Sequence, residues 1–447
     1  MQHTILKSIL GLVFLVLPFF VMAKNTESKA RVIVMTDGEV DDQSSMIRFL
    51  LYTCDIDLLA IIETNSVYQP NGHSKEDWLE KQLNAYRQVY PFLIINHPDY
   101  PTADEIKSKC FVGDEDVEHL INVRSREKRK AQIPGDSVEY RPDAWPDTPG
   151  SDRIVEILLD KDPSPVYMEV WGGGNTASRA FYKLKNQYPN DYQRAVSKVV
   201  MYNIWYQDDA GNYIETFHPN VTMLYCASFS GTWDYRSQPG TTGLISENVK
   251  SNHGPLGALY PQAYISEGDS PSYFYTMYNG LRNFENPSYG GWGGRFVKLA
   301  AFPKGYSDAS ENGDMKQSMR RWIDQVNNDF QARMDWCVAS KFSDANHAPV
   351  IRFAGNTTIS VKSGQTINAS AKGSKDPDGD HLTYKWWQYK EAGTYPGFVE
   401  IKNASSEKSS IHIPKDQAQG TIHIILEVTD DGVPSLVSYK RIILDVK

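Results

Sequence analysis

The sequence predicts an α/β fold, a mostly parallel sheet with flanking helices, followed by a small all-β sandwich. Two observations predict it. From about Arg31 to Ser340, short β-branched apolar runs alternate with helical patterns, the arrangement that gives a parallel sheet covered on both faces. After Phe342 the character changes. From Val350 onward apolar and polar residues alternate over short runs, punctuated by turn signals such as Pro377-Asp378-Gly379 and Asp431-Gly432, which is the pattern of half-buried strands.

The elements follow in order. Residues 32–35 (Val-Ile-Val-Met) have the length and branching of a buried strand. The chain then breaks into Asp37, Gly38, Glu39, Asp41 and Asp42, and a helix follows with Met46, Ile47, Leu50 and Leu51 on one face. A second strand over 58–62 ends at Glu63-Thr64-Asn65, and 78–90 reads as a helix. Val166–Val170 is a third strand, running through Trp171 into Gly172-Gly173-Gly174 and a helix over 176–184. Residues 198–202 form a fourth strand, and 315–340 read as one long amphipathic helix with Met319, Trp322, Ile323 and Val326 on its stripe. In the tail, 359–361, 382–386 and 422–424 alternate as strands. A sandwich of about 100 residues has immunoglobulin-like size, although the paired cysteines of antibody domains are missing. The expected division is a first domain over 24–342, a linker over 343–348 and the sandwich over 349–447.

With 447 residues the chain is long for one domain and comfortable for two. Its net charge of −9 argues against nucleic acid as a partner. Residues 1–23 read as a signal peptide, with Lys7 ahead of an apolar stretch and Val21-Met22-Ala23 as the cleavage site. That stretch is broken by Pro18 and is short for a membrane span. A periplasmic or secreted bacterial protein is expected, with no membrane span later in the chain. Cys54, Cys110, Cys226 and Cys337 are too scattered for a metal site, and one or two disulfides are permitted.

Ligands of α/β sheets gather at the carboxyl ends of strands. The acidic turn after the first strand holds four carboxylates, Asp37, Glu39, Asp41 and Asp42, within six residues. Some of that charge complements a helix start. The rest exceeds capping and suits a hard cation, Ca²⁺ or Mg²⁺. Past the fourth strand, Trp205, Tyr206, Asp208 and Asp209 suit sugar stacking and hydroxyl recognition, with an exposed acidic loop as the alternative. Asp376-Pro377-Asp378-Gly379-Asp380 reads as a plain turn, with a second Ca²⁺ as the alternative.

Thr36-Asp37-x-x-x-Asp41-Asp42 resembles the amino-terminal fingerprint of nucleoside hydrolases, and the resemblance extends over 31 to about 340. It implies a bound Ca²⁺. Asp37 would be metal ligand and general base, Asp42 the main ligand, and Asp41 a ligand that also meets sugar hydroxyls. Asn65 would reach the sugar, and Trp171 or Gly172 would offer a backbone carbonyl to the ion. Asn175 would either cap its helix or point into the pocket. Asn252-His253-Gly254-Pro255 is similar to the family's His-Asp-Pro motif, making His253 either a general acid or a structural histidine. Gly254 stands where that family has a carboxylate, and Asp269 in Glu267-Gly268-Asp269 is the candidate replacement, or a substrate contact. Met35 also replaces a family Asp. Trp-Gly-Gly-x-Asn-Thr, Gln-Asp-Asp-x-Gly and His-Gly-Pro-Leu-Gly are closer to a secreted nucleoside-hydrolase-like group with an immunoglobulin-like tail, in places labelled cellulose-binding.

The expected function is Ca²⁺-dependent hydrolysis of a glycosidic bond in a furanoside or at an oligosaccharide end. The alternatives are a true nucleoside N-ribohydrolase and a non-catalytic carbohydrate-binding protein. The expected partner is a carbohydrate or nucleoside small molecule, and the parent fold leaves a homodimer open.

Overall fold

The computed structural model describes residues 29–120, 141–230, 232, 244–261, 267–416 and 418–447; the expected signal peptide, 1–23, lies outside the described residues. The first eight strands are β1 (Ala30–Thr36), β2 (Ile56–Glu63), β3 (Cys110–Val112), β4 (Val166–Val170), β5 (Val199–Ile204), β6 (Thr222–Cys226), β7 (Phe296–Lys298) and β8 (Gly305–Asp308). They form one sheet in the order β3-β2-β1-β4-β5-β6-β8-β7. Every neighbouring pair is parallel except β7 with β8.

The continuous apolar run of β1 follows from its place at the centre. Val32 and Val34 pack with α1 (Val40–Leu50) and α2 (Trp78–Asn96) on one face. Ile33 and Met35 pack with the helices Pro149–Leu159 and Asn175–Gln187 on the other. A strand buried on both sides has no polar side to alternate with. β2 and β4 lie on either side of β1, so the strand order reverses between β1 and β4. Such a switch point opens a crevice at the carboxyl ends of the two strands.

Two local expectations are corrected. The helix expected over 78–90 continues to Asn96 with Pro91 inside it. The helix expected over 315–340 is broken into Gln317–Arg320 and Ile323–Trp336. The break falls where Trp322 turns its ring into the sandwich and Arg321 pairs with Glu311 and Glu391. All four cysteines are free.

The remaining strands are β9 (Thr358–Val361), β10 (Thr366–Ser370), β11 (Thr383–Gln388), β12 (Glu400–Lys402), β13 (Lys408–His412), β14 (Gly420–Thr429) and β15 (Val437–Val446). They form two sheets, β10-β13-β12 and β11-β14-β15-β9, around a core that includes Trp386, Ile411, Leu426 and Leu444. In β14, Ile422, Ile424, Leu426 and Val428 face that core, while Ile425 joins the core of the first domain. The larger sheet is therefore covered on both faces. At the seam the Trp322 ring centroid lies 5.8 Å from Trp387, 6.1 Å from Tyr389 and 5.4 Å from Tyr439. Tyr389 Oη donates to Glu311 (2.7 Å), and Arg441 Nη2 donates to the Gly290 carbonyl (2.7 Å).

Candidate metal centre

β1 ends by delivering Thr36 and Asp37 into the crevice, and α1 begins three residues later. Asp42, in the first turn of α1, closes this corner. Its Oδ1 accepts from the Asp37 amide (3.0 Å), the Gly38 amide (3.4 Å) and the Thr36 hydroxyl. Asp37 Oδ1 accepts from the Glu39 amide (3.2 Å). Asp37 Oδ2 is buried with no hydrogen-bond partner among the described residues. Gly172, just past β4, lies so close that a Cβ there would stand 2.7 Å from Asp37 Cβ; no larger residue fits without movement.

The loop before the helix Ser270–Thr276 brings in Asp269. One carboxylate oxygen from each of Asp41, Asp42 and Asp269 lies within 4.8 Å of the others. The Asp269 amide donates to Ser45 Oγ in α1 (3.3 Å), and its Oδ2 is buried with no partner among the described residues. A buried ion pair fixes this loop to the same helix. Arg48 Nη1 meets Glu267 Oε2 at 2.9 Å, both side chains being fully buried. Tyr260 Oη and Ser270 Oγ donate to the two Glu267 oxygens, each at 2.8 Å.

The carboxylates repel one another. Burial, then the charges of Asp37, Asp269 and Asp41, holds Asp42 well above the usual carboxylate range. Asp269 is raised by burial, then by Asp41, Asp37 and Glu39. Burial, with Glu39 and Asp37, pushes Asp41 up to about 7. The three converging carboxylates, with Asp269 Oδ2 and the neighbouring Asp37 Oδ2 lacking partners among the described residues, fit a hard divalent cation, whose charge offsets this repulsion. Without metal, the native state holds protons that the unfolded chain, titrating near about 4, has released. The contribution of this group to stability should therefore be greatest at low pH and fall as pH rises through about 7. Melting temperatures in chelator across that range check this: the fall should be smaller in Asp41→Asn, and an equal slope would overturn the assignment.

The other expected site residues divide. Asn65, after β2, accepts from Asn175 Nδ2 (2.8 Å) and donates to the Pro70 carbonyl (2.8 Å). Asn175 also accepts from Thr64 Oγ1 and from the Thr176 amide, each at 2.9 Å. Asp208 accepts from the amides of Asn175 and Ala210, each at 2.9 Å, so it holds two helix starts; burial raises it to about 6. Asp209 is buried beside it. Gln207 Nε2 donates to the Trp171 carbonyl, one of the two expected to face the ion. Trp205 is 39% exposed. It sits in the left-handed region (φ 62°), rare for a bulky residue, with Phe229 edge-on at 5.6 Å. His253 pairs through Nε2 with Asp335 (2.9 Å), and Gly254 packs beside Val89 and Val338; none of these belongs to the acidic group.

A different histidine stands over the acidic turn. His73 Cβ lies 2.7 Å from where a Cβ on Gly38 would be, and Gly38 has φ +75°. Its ring nitrogens meet Glu76 Oε1 (2.8 Å) and Gln69 Oε1 (2.9 Å). Burial raises the carboxyls of Asp37 and Glu39; hydrogen bonds, with Ser66 for Asp37 and Gln69 for Glu39, lower them more than the charge of nearby His73 does. Sequence reading missed His73 and the Arg48–Glu267 pair. The loop around His73 has no periodic or motif signal.

Compared with protein families, residues 31–296 match the nucleoside hydrolase-like domain of cellulose-binding Sde182, and residues 366–446 match the C-terminal domain of cellulose-binding protein Sde0182. The chain belongs to the Sde182 family. Among solved structures it is similar to a nucleoside hydrolase-related hypothetical protein from Saccharophagus degradans, described as associated with carbohydrate metabolism. The identity is 32% over 94% of this chain and 100% of that one, with a TM-score of 0.79. A weaker likeness is to the effector protein XOO4466, at 10% identity over 70% of this chain and 95% of that one, with a TM-score of 0.39. No curated protein matches. In this Sde182-family chain no described helix is long and apolar enough to cross a membrane.

Proposed function

We propose that the first domain is a Ca²⁺-dependent hydrolase of a glycosidic bond, acting on a furanoside or an oligosaccharide end outside the cytoplasm. The observation that carries this is the convergence of Asp41, Asp42 and Asp269 beside the unpartnered Asp37 Oδ2. Asp42, Asp41 and Asp269 would hold the ion, with Asp37 at its edge. When bound, the ion supplies positive charge that makes water more acidic and holds sugar hydroxyls. Asp37 Oδ2 takes a proton from the attacking water, whose oxygen bonds the anomeric carbon as the glycosidic bond breaks. The leaving oxygen takes a proton from solvent water, since both ring nitrogens of His73 are engaged by Glu76 and Gln69. Trp205 offers an exposed ring for sugar stacking, and its strained backbone is of the kind that gathers at functional sites. Asn65, Asn175 and Asp208 position the loops. The association of the Saccharophagus protein with carbohydrate metabolism, and the family's cellulose-binding label, favour a carbohydrate over a nucleoside. The signal-like residues 1–23 support export.

Sugar binding without turnover is the second reading. Met35 and Gly254 favour it, because each stands where the resembled hydrolases have a carboxylate.

The test is a melting curve of chelator-stripped protein as Ca²⁺ is returned. Wild type should gain about 2.7 kcal/mol at a hundred times Kd, and Asp42→Ala should lose the gain from this site. Turnover is then screened on furanosides, oligosaccharides and nucleosides. An equal Ca²⁺ response in Asp42→Ala would remove the metal from this turn. A normal metal response with no turnover on any class would leave the second reading.

A further inference from the structure

We propose that Ser66 is the positioning residue for Asp37: its buried hydroxyl, just past the end of β2, donates to the Asp37 carboxylate and fixes how that carboxylate is turned. The inference rests on the reading of Asp37 as general base and adds the residue that aims it. A serine hydroxyl has one proton to give and two lone pairs to accept with. Ser66 is fully buried, which screens it from bulk water. Its Oγ accepts from the amides of Tyr68 (3.0 Å) and Gln69 (3.2 Å). Both lone pairs are therefore taken by the turn that follows. Only the proton is left, and the acceptor it meets is the carboxylate of Asp37.

The backbone brings the two residues together and holds them. Thr36 and Glu63 are partners in the β1–β2 ladder, and just beyond them the Thr64 amide donates to the Thr36 carbonyl (2.8 Å). Asp37 follows Thr36, and Ser66 follows Thr64 and Asn65. The Asn65 carbonyl accepts from the Gly173 amide (3.0 Å), which pins this loop on the β4 side. The Val67 amide donates to the Gln207 carbonyl (3.0 Å), and Gln69 Oε1 meets His73 Nε2 (2.9 Å). Ser66 is thus carried by a turn tied on several sides.

Asp37 needs such a partner. The Glu39 amide holds its Oδ1 (3.2 Å), and Gly172 closes the space behind it, since a Cβ there would lie 3.0 Å from Asp37 Cγ. A terminal carboxylate torsion is broad, so one amide alone would let the group pivot about Oδ1. A hydroxyl donating from a different strand stops that pivot. Oδ2, with no partner of its own among the described residues, is then presented to water in one orientation. Orientation of this kind matters to rate, because a shift of about 1 Å in a reacting group can cost about 10²-fold.

The first test needs no turnover. Denaturant melts in chelator compare full-length wild type, Ser66→Ala, Asp37→Ala and the double variant. A serine that only completes its own turn costs the same with or without the carboxylate. If it holds Asp37, the two effects should fail to add, by about tenfold in the folding constant. Additive effects would overturn the proposal. Turnover gives the second readout. Ser66→Ala should lower kcat by about 10–100-fold, with KM and the Ca²⁺-dependent rise in melting temperature kept. Ser66→Thr, which retains the hydroxyl, should restore kcat. An unchanged kcat in Ser66→Ala would overturn the positioning role even where the coupling is found. Should Ser66→Ala not fold, Ser66→Cys is read in its place: its thiol is a weak donor, so the same fall in kcat is expected, and an unchanged kcat overturns the role. Wild type without turnover on any substrate would sink the hydrolase reading alone, and the coupling would then decide whether Ser66 holds Asp37.

Discussion

Asp37→Asn is expected to lower turnover on a cleaved glycoside by about 10²–10⁴-fold, while the Ca²⁺-dependent rise in melting temperature persists. The asparagine keeps an oxygen to accept from the Glu39 amide, as Asp37 Oδ1 does, but it cannot take a proton from water. Asp41, Asp42 and Asp269 remain to hold the ion. Removing one charge from a mutually repelling group should also make the metal-free variant more stable than wild type, because Asp37 raises Asp42 and Asp269. Single-turnover rates and chelator melting curves on the same preparations check both halves. Undiminished turnover would end the general-base role.

Arg48→Met is expected to cost about 3–5 kcal/mol, because it strands a carboxylate in a fully buried position. Glu267 would keep Tyr260 and Ser270 as donors and lose its compensating charge. The loss should reach the metal centre, since the same loop carries Asp269. Ca²⁺ affinity should therefore fall, although neither member of the pair belongs to the acidic group. Arg48→Met/Glu267→Gln should recover much of the stability, because a neutral amide still accepts from both hydroxyls. Denaturant melts and Ca²⁺ titrations of the single and double variants decide it: a double variant no better than the single would mean that packing, not the stranded charge, sets the cost.

The acidic turn was legible because its residues are neighbours in sequence, and the apolar run before it could only be a buried strand. The sheet followed from the same alternation. What was not legible joins distant parts of the chain. Arg48 and Glu267 are 219 residues apart, and neither has a local pattern that marks it as half of a pair. Asp269 could be suggested as a replacement for Gly254, but only the fold brings it to Asp41 and Asp42. For Asp208, spacing does not reveal which backbone amides a carboxylate meets, and only the fold shows those of Asn175 and Ala210. The break at Trp322 is a tertiary effect: its aromatic partners lie in the sandwich, and their packing outweighs helical preference in 315–340.

The aromatic seam has a consequence for how a polymer could be handled. A domain on a slack tether samples a volume, and the tether's length sets the effective concentration of one site at the other. Here Trp322, Trp387, Tyr389 and Tyr439 share one interior, so the sandwich works as a fixed ruler. Any ligand held by the sandwich would meet the crevice at one distance and one angle. Lengthening the connecting segment would not widen the search, whereas loosening the seam would trade that single register for a diffuse one.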